Sequence, residues 1–206
     1  MELIQHYFPN ITEKQFGQFA ALYELYLDWN LKINLISRKD VGNLYEHHVL
    51  HSLGITAVLR FKDDTRVMDV GTGGGFPGIP LAIYFPKVQF LLIDSVGKKL
   101  RAAEDIAAKI NLENVRFKHC RVEEVHEKID FAVSRAVMPL PNLVAVTAKN
   151  ISHEQRNGLP NGFICFKGGD LQAEIRQYRK KAIVYDLGEY FKEDFFKTKK
   201  IIYLPN

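Results

Sequence analysis

A chain of 206 residues can bury one full hydrophobic core and is slightly long for a single minimal domain, so one main domain with an appendage is expected. Its 47% hydrophobic and 12% aromatic content argues against overall disorder, and no apolar run approaches the ~20 residues that span a bilayer. The net charge of +4 is a mild bias toward polyanionic partners.

The first residues carry no charged-then-apolar leader, since Glu2, Gln5 and His6 interrupt it, so a cytoplasmic protein is expected. From Thr12 to Trp29 apolar residues recur every three and four positions, including Phe16, Phe19, Leu22, Tyr26 and Trp29, behind Thr12 as a cap. A second helix is expected from Asp40 into Leu59. With no strand alternation before Arg66, residues 1–62 read as a helical extension and 63–206 as the main domain.

From Arg66 the pattern changes to short apolar runs alternating with helical stretches. Strands are predicted at Arg66–Val70, Gln89–Asp94, Val115–His119, Phe131–Ser134 and Gly162–Phe166. Helices are predicted at Gly78–Phe85, Lys98–Ile110, Pro139–Lys149 and Asp170–Arg179. This rhythm describes a parallel sheet with helices on both faces. Ala182–Leu187 and Lys199–Leu204 then read as two late strands with antiparallel edge pairing. Cys120 and Cys165, without CxxC or nearby histidine spacing, read as buried small hydrophobes, and no metal site is expected.

The most informative stretch is VMDVGTGGGFPGIPLAIYFP, Val67 to Pro86. In an open α/β sheet the ligand sits beyond the carboxyl ends of the strands, against the loop after the first one. Here Asp69 stands at the end of that strand and Gly71, Gly73 and Gly75 follow at alternate positions. Glycines there permit positive φ and remove the Cβ atoms that would hold a ligand off the main chain. Gly73, Gly75 and Gly78 satisfy a dinucleotide spacing on paper, but counting from Gly71 places Phe76 where the dinucleotide glycine belongs. A carboxylate on Asp69 would repel a pyrophosphate and would favour a ligand bearing an ammonium group, which points to S-adenosylmethionine over NAD. Asp94, closing the second strand, is placed to accept hydrogen bonds from a ribose diol, which both ligands possess, or to cap the next helix. Absence of GK[ST] excludes a Walker A site. Val122 and Glu123 follow the third strand, where an adenine ring inserts beside the backbone, or are ordinary loop residues. Arg135 ends the fourth strand, facing the cleft.

Seven segments in order resemble the bacterial small-subunit ribosomal RNA guanine-N7 methyltransferases of the RsmG (GidB) type. They are WNLKINLIS (Trp29–Ser37), EHHVLHSL (Glu46–Leu53), DVGTGGGFPGIPLAI (Asp69–Ile83), LLIDSVGKK (Leu91–Lys99), RVEE (Arg121–Glu124), SRAV (Ser134–Val137) and FKGG (Phe166–Gly169). The resemblance implies an α/β fold: a Rossmann-like class I S-adenosylmethionine-dependent methyltransferase with a mostly parallel seven-stranded sheet and an N-terminal helical extension. It implies S-adenosylmethionine as cofactor, with Gly71, Phe76, Val122, Glu123 and Arg135 at the carried-over cofactor positions. The substrate it implies is a guanine in a conserved loop near the decoding region of 16S ribosomal RNA, in naked RNA or in the small subunit. One departure is His51, where many members have Asp.

Guanine N7 has an in-plane lone pair and no proton, so no general base is expected, and Arg135 is assigned an orienting role toward cofactor or guanine. Asn34, His48 and Lys167 are candidate substrate contacts, against capping, structural and solvated readings respectively. Lys32, Arg38, Lys39, Lys98, Lys99 and Arg101 are candidates for a phosphate track. A monomer without membrane contact would suffice. The alternatives are a methyltransferase of another RNA or a small molecule, an NAD-dependent oxidoreductase, and a nonenzymatic RNA-binding or assembly protein.

Overall fold

The computed structural model describes residues 1–37 and 40–206. Arg38 and Lys39, two members of the expected phosphate track, lie outside the described residues. Among the described residues seven strands form one sheet: β1 (Arg66–Val70), β2 (Gln89–Asp94), β3 (Val115–His119), β4 (Phe131–Arg135), β5 (Gly162–Gly168), β6 (Ile183–Asp186) and β7 (Lys199–Pro205), in the order β3-β2-β1-β4-β5-β7-β6. The first five strands are parallel, with Asp69 opposite Leu92 on one side and Val133 on the other. Strand β7 inserts antiparallel between β5 and β6, which leaves the short β6 at the edge with Ile183 and Val184 exposed.

Side chains alternate across a pleated strand, and the two cores follow that parity. Val67, Phe90, Leu92, Ile164 and Phe166 enter one, whereas Met68, Leu91, Ile93, Phe163 and Cys165 enter the other. The first face is covered by α4 (Gly78–Tyr84), α5 (Gly97–Lys109) and the N-terminal helices. Residues of α6 (Leu140–Thr147) and the short α7 (Gln172–Ile175) with its preceding loop pack on the second.

The N-terminal region shares its core with the sheet, since Ile4, Phe19, Leu22 and Tyr26 pack in the same cluster as Leu92 and Tyr203. Its first helix, α1 (Glu2–Tyr7), has no counterpart in the sequence reading because six residues are too few to display a period. Helix α2 (Glu13–Lys32) begins as expected: Thr12 Oγ1 accepts from the Gln15 amide, and Gln15 Oε1 accepts from the Thr12 amide. Gln15 Nε2 also donates to the carbonyls of Ile83 and Tyr84, closing the open end of α4. Farther along, Gln18 Nε2 donates to the Ile110 carbonyl and Trp29 Nε1 to Asp105 Oδ2, which fastens α2 across α5. Gly17 is exposed inside α2 and a Cβ there would meet nothing within 4 Å. Gly17→Ala is therefore expected to stabilise the chain by about 0.5–1 kcal/mol, read as a higher denaturant midpoint at unchanged slope.

The single helix expected over Asp40–Leu59 is divided. It comprises 3-10 turns at Val41–Asn43, wider π turns at Leu44–Leu50, α3 (His51–Leu53) and 3-10 turns at Gly54–Ala57. The apolar spacing is helical, but the winding changes where His47 and His48 both reach back to Asp40. Wide turns of this kind often mark functional sites. Among the described residues no helix is long and apolar enough to cross a membrane.

Candidate functional site

At the carboxyl ends of β1, β2 and β4, where the strand order reverses, lies a cleft of about 700 Å³. Its size and position are those of a small-ligand site in an open α/β sheet. Gly71 (φ +68) and Gly73 (φ +58) form part of its floor in conformations that side-chain-bearing residues resist. Gly71 also lets Val137 lie against the main chain: a Cβ there would come within 2.5 Å of a Val137 methyl. Asp94, 9% exposed, is on the wall. Its Oδ2 accepts from the Gly73 amide at 2.7 Å and its Oδ1 from the Val96 amide at 2.7 Å, and each oxygen retains a second lone pair. Val122 and the exposed Glu123 line the cleft as well.

The loop is held from below. Tyr26 donates to the Gly74 carbonyl at 2.7 Å and stacks on Phe76 at 4.7 Å. Asn30 Oδ1 accepts from the amides of Leu35 and Ile36, which turns those two apolar residues into the cleft. Tyr26 is expected only as part of the apolar stripe of α2, and Asn30, Leu35 and Ile36 carry no individual role in the sequence reading, although all three lie in the WNLKINLIS segment (Trp29–Ser37).

Arg135 is half-buried on the cleft wall, its guanidinium 5.0 Å from the centre of the Phe76 ring. Nη1 donates to the His47 carbonyl at 3.2 Å and Nη2 to His48 Nδ1 at 3.0 Å. Burial pulls its pKa down to about 10, so it stays charged at neutral pH. The next residue, Ala136, sits at φ +58, a strained conformation for alanine of the kind found at ligand sites.

Several expected contacts are placed differently. Asp69 is fully buried under the loop: Oδ2 accepts from Thr72 Oγ1 at 2.6 Å and from the Gly78 amide at 2.9 Å, so it braces the turn and does not reach the cleft. That carboxylate occupies the first amide of α4, where a dinucleotide would need room for its pyrophosphate. Gly75 is buried behind the wall, and a Cβ on it would strike Ile79. Lys167 Nζ spends its charge internally on Glu174 Oε1 at 2.6 Å and the Met138 carbonyl at 2.8 Å, because the chain after β5 brings α7 back against it. Asn34 is exposed and outside the cleft lining, its neighbours Leu35 and Ile36 facing inward instead. His48 lines the cleft, yet both ring nitrogens are engaged, by Asp40 and Arg135. Cys165 is buried in β5, whereas Cys120 is only half-buried and lies on the cleft wall. Of the phosphate candidates, Lys99 lines the cleft, Lys98 and Arg101 are exposed beside it on α5, and Lys32 is paired with Asp28.

Burial pushes the Asp69 carboxyl up to about 7, against the hydrogen bonds from Thr72 and Gly78 and the charge of Arg135. Between pH 4 and 7 the unfolded chain therefore releases this proton while the folded chain keeps it, and stability from this group falls as pH rises. Asp69→Asn is expected to remove that slope. The difference in thermal midpoint between the parent and the variant should be most favourable to the parent near pH 4 and shrink toward pH 7.

Comparison with known proteins agrees with this geometry. The family described as GidB, rRNA small subunit methyltransferase G, matches residues 15–202. A relative in Phocaeicola vulgatus named ribosomal RNA small subunit methyltransferase G is 63% identical over 99% of this chain and 98% of its own. One in Cytophaga hutchinsonii with the same name is 50% identical over 100% of this chain and 99% of its own. Among solved structures, an S-adenosylmethionine-dependent methyltransferase from Thiobacillus denitrificans in complex with S-adenosyl-L-homocysteine superposes with a TM-score of 0.51 at 17% identity, covering 79% of each chain. A human methyltransferase 10 domain containing protein gives 0.53 at 13% identity, covering 76% of this chain and 81% of the other. These two establish the Rossmann-like class I methyltransferase fold, and the match along almost the whole sequence establishes the rest: the chain belongs to the rRNA small subunit methyltransferase G family.

Proposed function

We propose that this chain transfers a methyl group from S-adenosylmethionine to N7 of a guanine in 16S ribosomal RNA. The observation that carries the reading is the cleft itself, with its Gly71 and Gly73 floor, the Asp94 carboxylate and a charged arginine on the wall. The donor set suits the cofactor: Asp94 has lone pairs for a ribose diol, Val122 offers an apolar face for the adenine, and the open space above Gly73 admits a ligand against the main chain.

When bound, S-adenosylmethionine supplies an electrophilic methyl group on a sulfonium. Guanine N7 would accept that methyl on its in-plane lone pair and carries no proton to be removed, so no side chain of the cleft is needed as a general base. What remains for the protein is alignment and exclusion of water. Leu35 and Ile36 make part of the wall apolar, and Arg135 has N–H groups left on the wall that would serve the guanine O6 edge or the cofactor carboxylate. Residues 1–62 serve as an extension that completes the cleft of the 63–206 domain. Lys98 and Lys99 stand beside the cleft for RNA phosphates, with binding that weakens as salt rises. All these residues come from one chain.

The test is transfer of label from methyl-labelled S-adenosylmethionine to small subunits, and to naked 16S ribosomal RNA, prepared without this modification. Label on N7 of one guanine supports the reading. Label elsewhere, or none with either substrate, overturns it.

A further inference from the structure

We propose that Asp40 and His48 form a fixed hydrogen-bonded relay that holds Arg135 in its working orientation, so that His48 is a positioning residue and not an RNA contact. The proposal rests on the methyl-transfer reading for its effect on turnover. Its geometry stands apart from that reading.

Arginine can only donate hydrogen bonds. The 3.0 Å contact from Arg135 Nη2 to His48 Nδ1 therefore requires a lone pair on Nδ1, and the imidazole proton must sit on Nε2. That nitrogen faces Asp40 Oδ2 at 2.6 Å, an acceptor that selects this tautomer. The groups around the ring agree. Burial first, then the Arg135 charge, draws the His48 pKa down to about 4 against the pull of Asp40, while His47 disfavours a second positive charge. His51, on the next turn and held well below the usual imidazole range by its own burial, adds no charge. Asp40 itself is anchored by His47 Nδ1, and the His47 carbonyl takes Arg135 Nη1. Two adjacent residues of the π-wound segment thus grip both terminal nitrogens of the guanidinium, while the Phe76 ring supports its face. A carboxylate orienting an imidazole tautomer is an established way to preorganise a site, and Asp40, although only half-buried, presents its oxygens to both histidines.

Three variants separate positioning from packing. His48→Phe keeps the aromatic contact with Phe76 and removes the acceptor. His48→Asn shrinks the ring but can place an amide oxygen near the Nδ1 position. Asp40→Asn offers His48 a donor as well as an acceptor and so removes one of the two constraints on the tautomer, leaving only the Arg135 contact. Turnover on unmodified small subunits, affinity for S-adenosylhomocysteine, and side-chain nitrogen NMR of His48 are the readouts. Expected are a single Nε2–H tautomer in the parent at pH 7, a mixture in Asp40→Asn, and kcat lowered about 100-fold in His48→Phe with Asn at least partly rescuing it. An Nδ1–H tautomer in the parent, or full turnover in His48→Phe with a worse Asn variant, overturns the relay. If the parent transfers no methyl to any RNA, the functional reading falls alone, and the NMR tautomer in parent and Asp40→Asn still decides the relay.

Discussion

Arg135→Ala is expected to lower turnover by at least about 100-fold while leaving the fold in place. The argument is one of preorganisation. The guanidinium is held by the His47 carbonyl, His48 Nδ1 and the Phe76 face before any substrate arrives, so its remaining donors cost no reorganisation when the reacting atoms align. Alanine removes the donors and leaves a void that water can fill at the cleft wall. Stability should change by no more than about 1 kcal/mol, because the lost hydrogen bonds are offset by relief of a charge that burial already disfavours. Lysine in the same place keeps the charge but cannot bridge two acceptors from one rigid fork, so Arg135→Lys should recover little. Steady-state kinetics on unmodified small subunits, with the thermal midpoint of each variant alongside, checks both halves. Turnover close to that of the parent would remove Arg135 from the reaction.

The contrast between what could and could not be read beforehand follows from chain separation. Strands β1, β2 and β3 match their sequence-predicted limits because each is a short run bounded by turns, and the parity of Val67 and Met68 alone sorts the two cores. Helix α2 was legible from its capping threonine, although it runs three residues past Trp29. The winding of Leu44–Leu50 was not, because its π turns accompany contacts to Asp40 and to Arg135, the latter 87 positions from His48. In the site, the strand ends locate Gly71, Asp94 and Arg135 at one cleft, and the glycine loop after β1 adds Phe76. Closeness to a strand end does not say which way a side chain points, however. Asp69 turns under the loop to Thr72 and Gly78, and Lys167 turns to Glu174, each satisfied by a partner that only the folded chain supplies. The support that Tyr26 and Asn30 give the loop is not legible for the same reason: the stripe and the WNLKINLIS segment mark the residues, but only the folded chain brings Tyr26 to the Gly74 carbonyl and turns Asn30 back to the Leu35 amide.

Gly73→Val is expected to weaken binding of S-adenosylmethionine by about 100-fold, roughly 3 kcal/mol. Two effects are combined in this substitution and have to be told apart. At φ +58 a β-branched residue is strained, and that strain alone destabilises the fold by on the order of 1–2 kcal/mol. The second effect is spatial: a Cβ on Gly73 meets no protein atom within 4 Å, and since Gly73 lines the cleft its side chain projects into the room a ligand needs. Gly169 supplies the control. It has φ +73, is likewise open around its Cβ position, is exposed, and lies outside the cleft lining. Gly169→Val should therefore share the loss of thermal stability and keep the parent's cofactor affinity. Calorimetric titration of S-adenosylmethionine into both variants, below their thermal midpoints, decides the matter. Equal affinities in the two would mean that the ligand does not approach the main chain at Gly73, whereas a loss confined to Gly73→Val would place it against that loop, above the Asp94 carboxylate that holds the Gly73 amide.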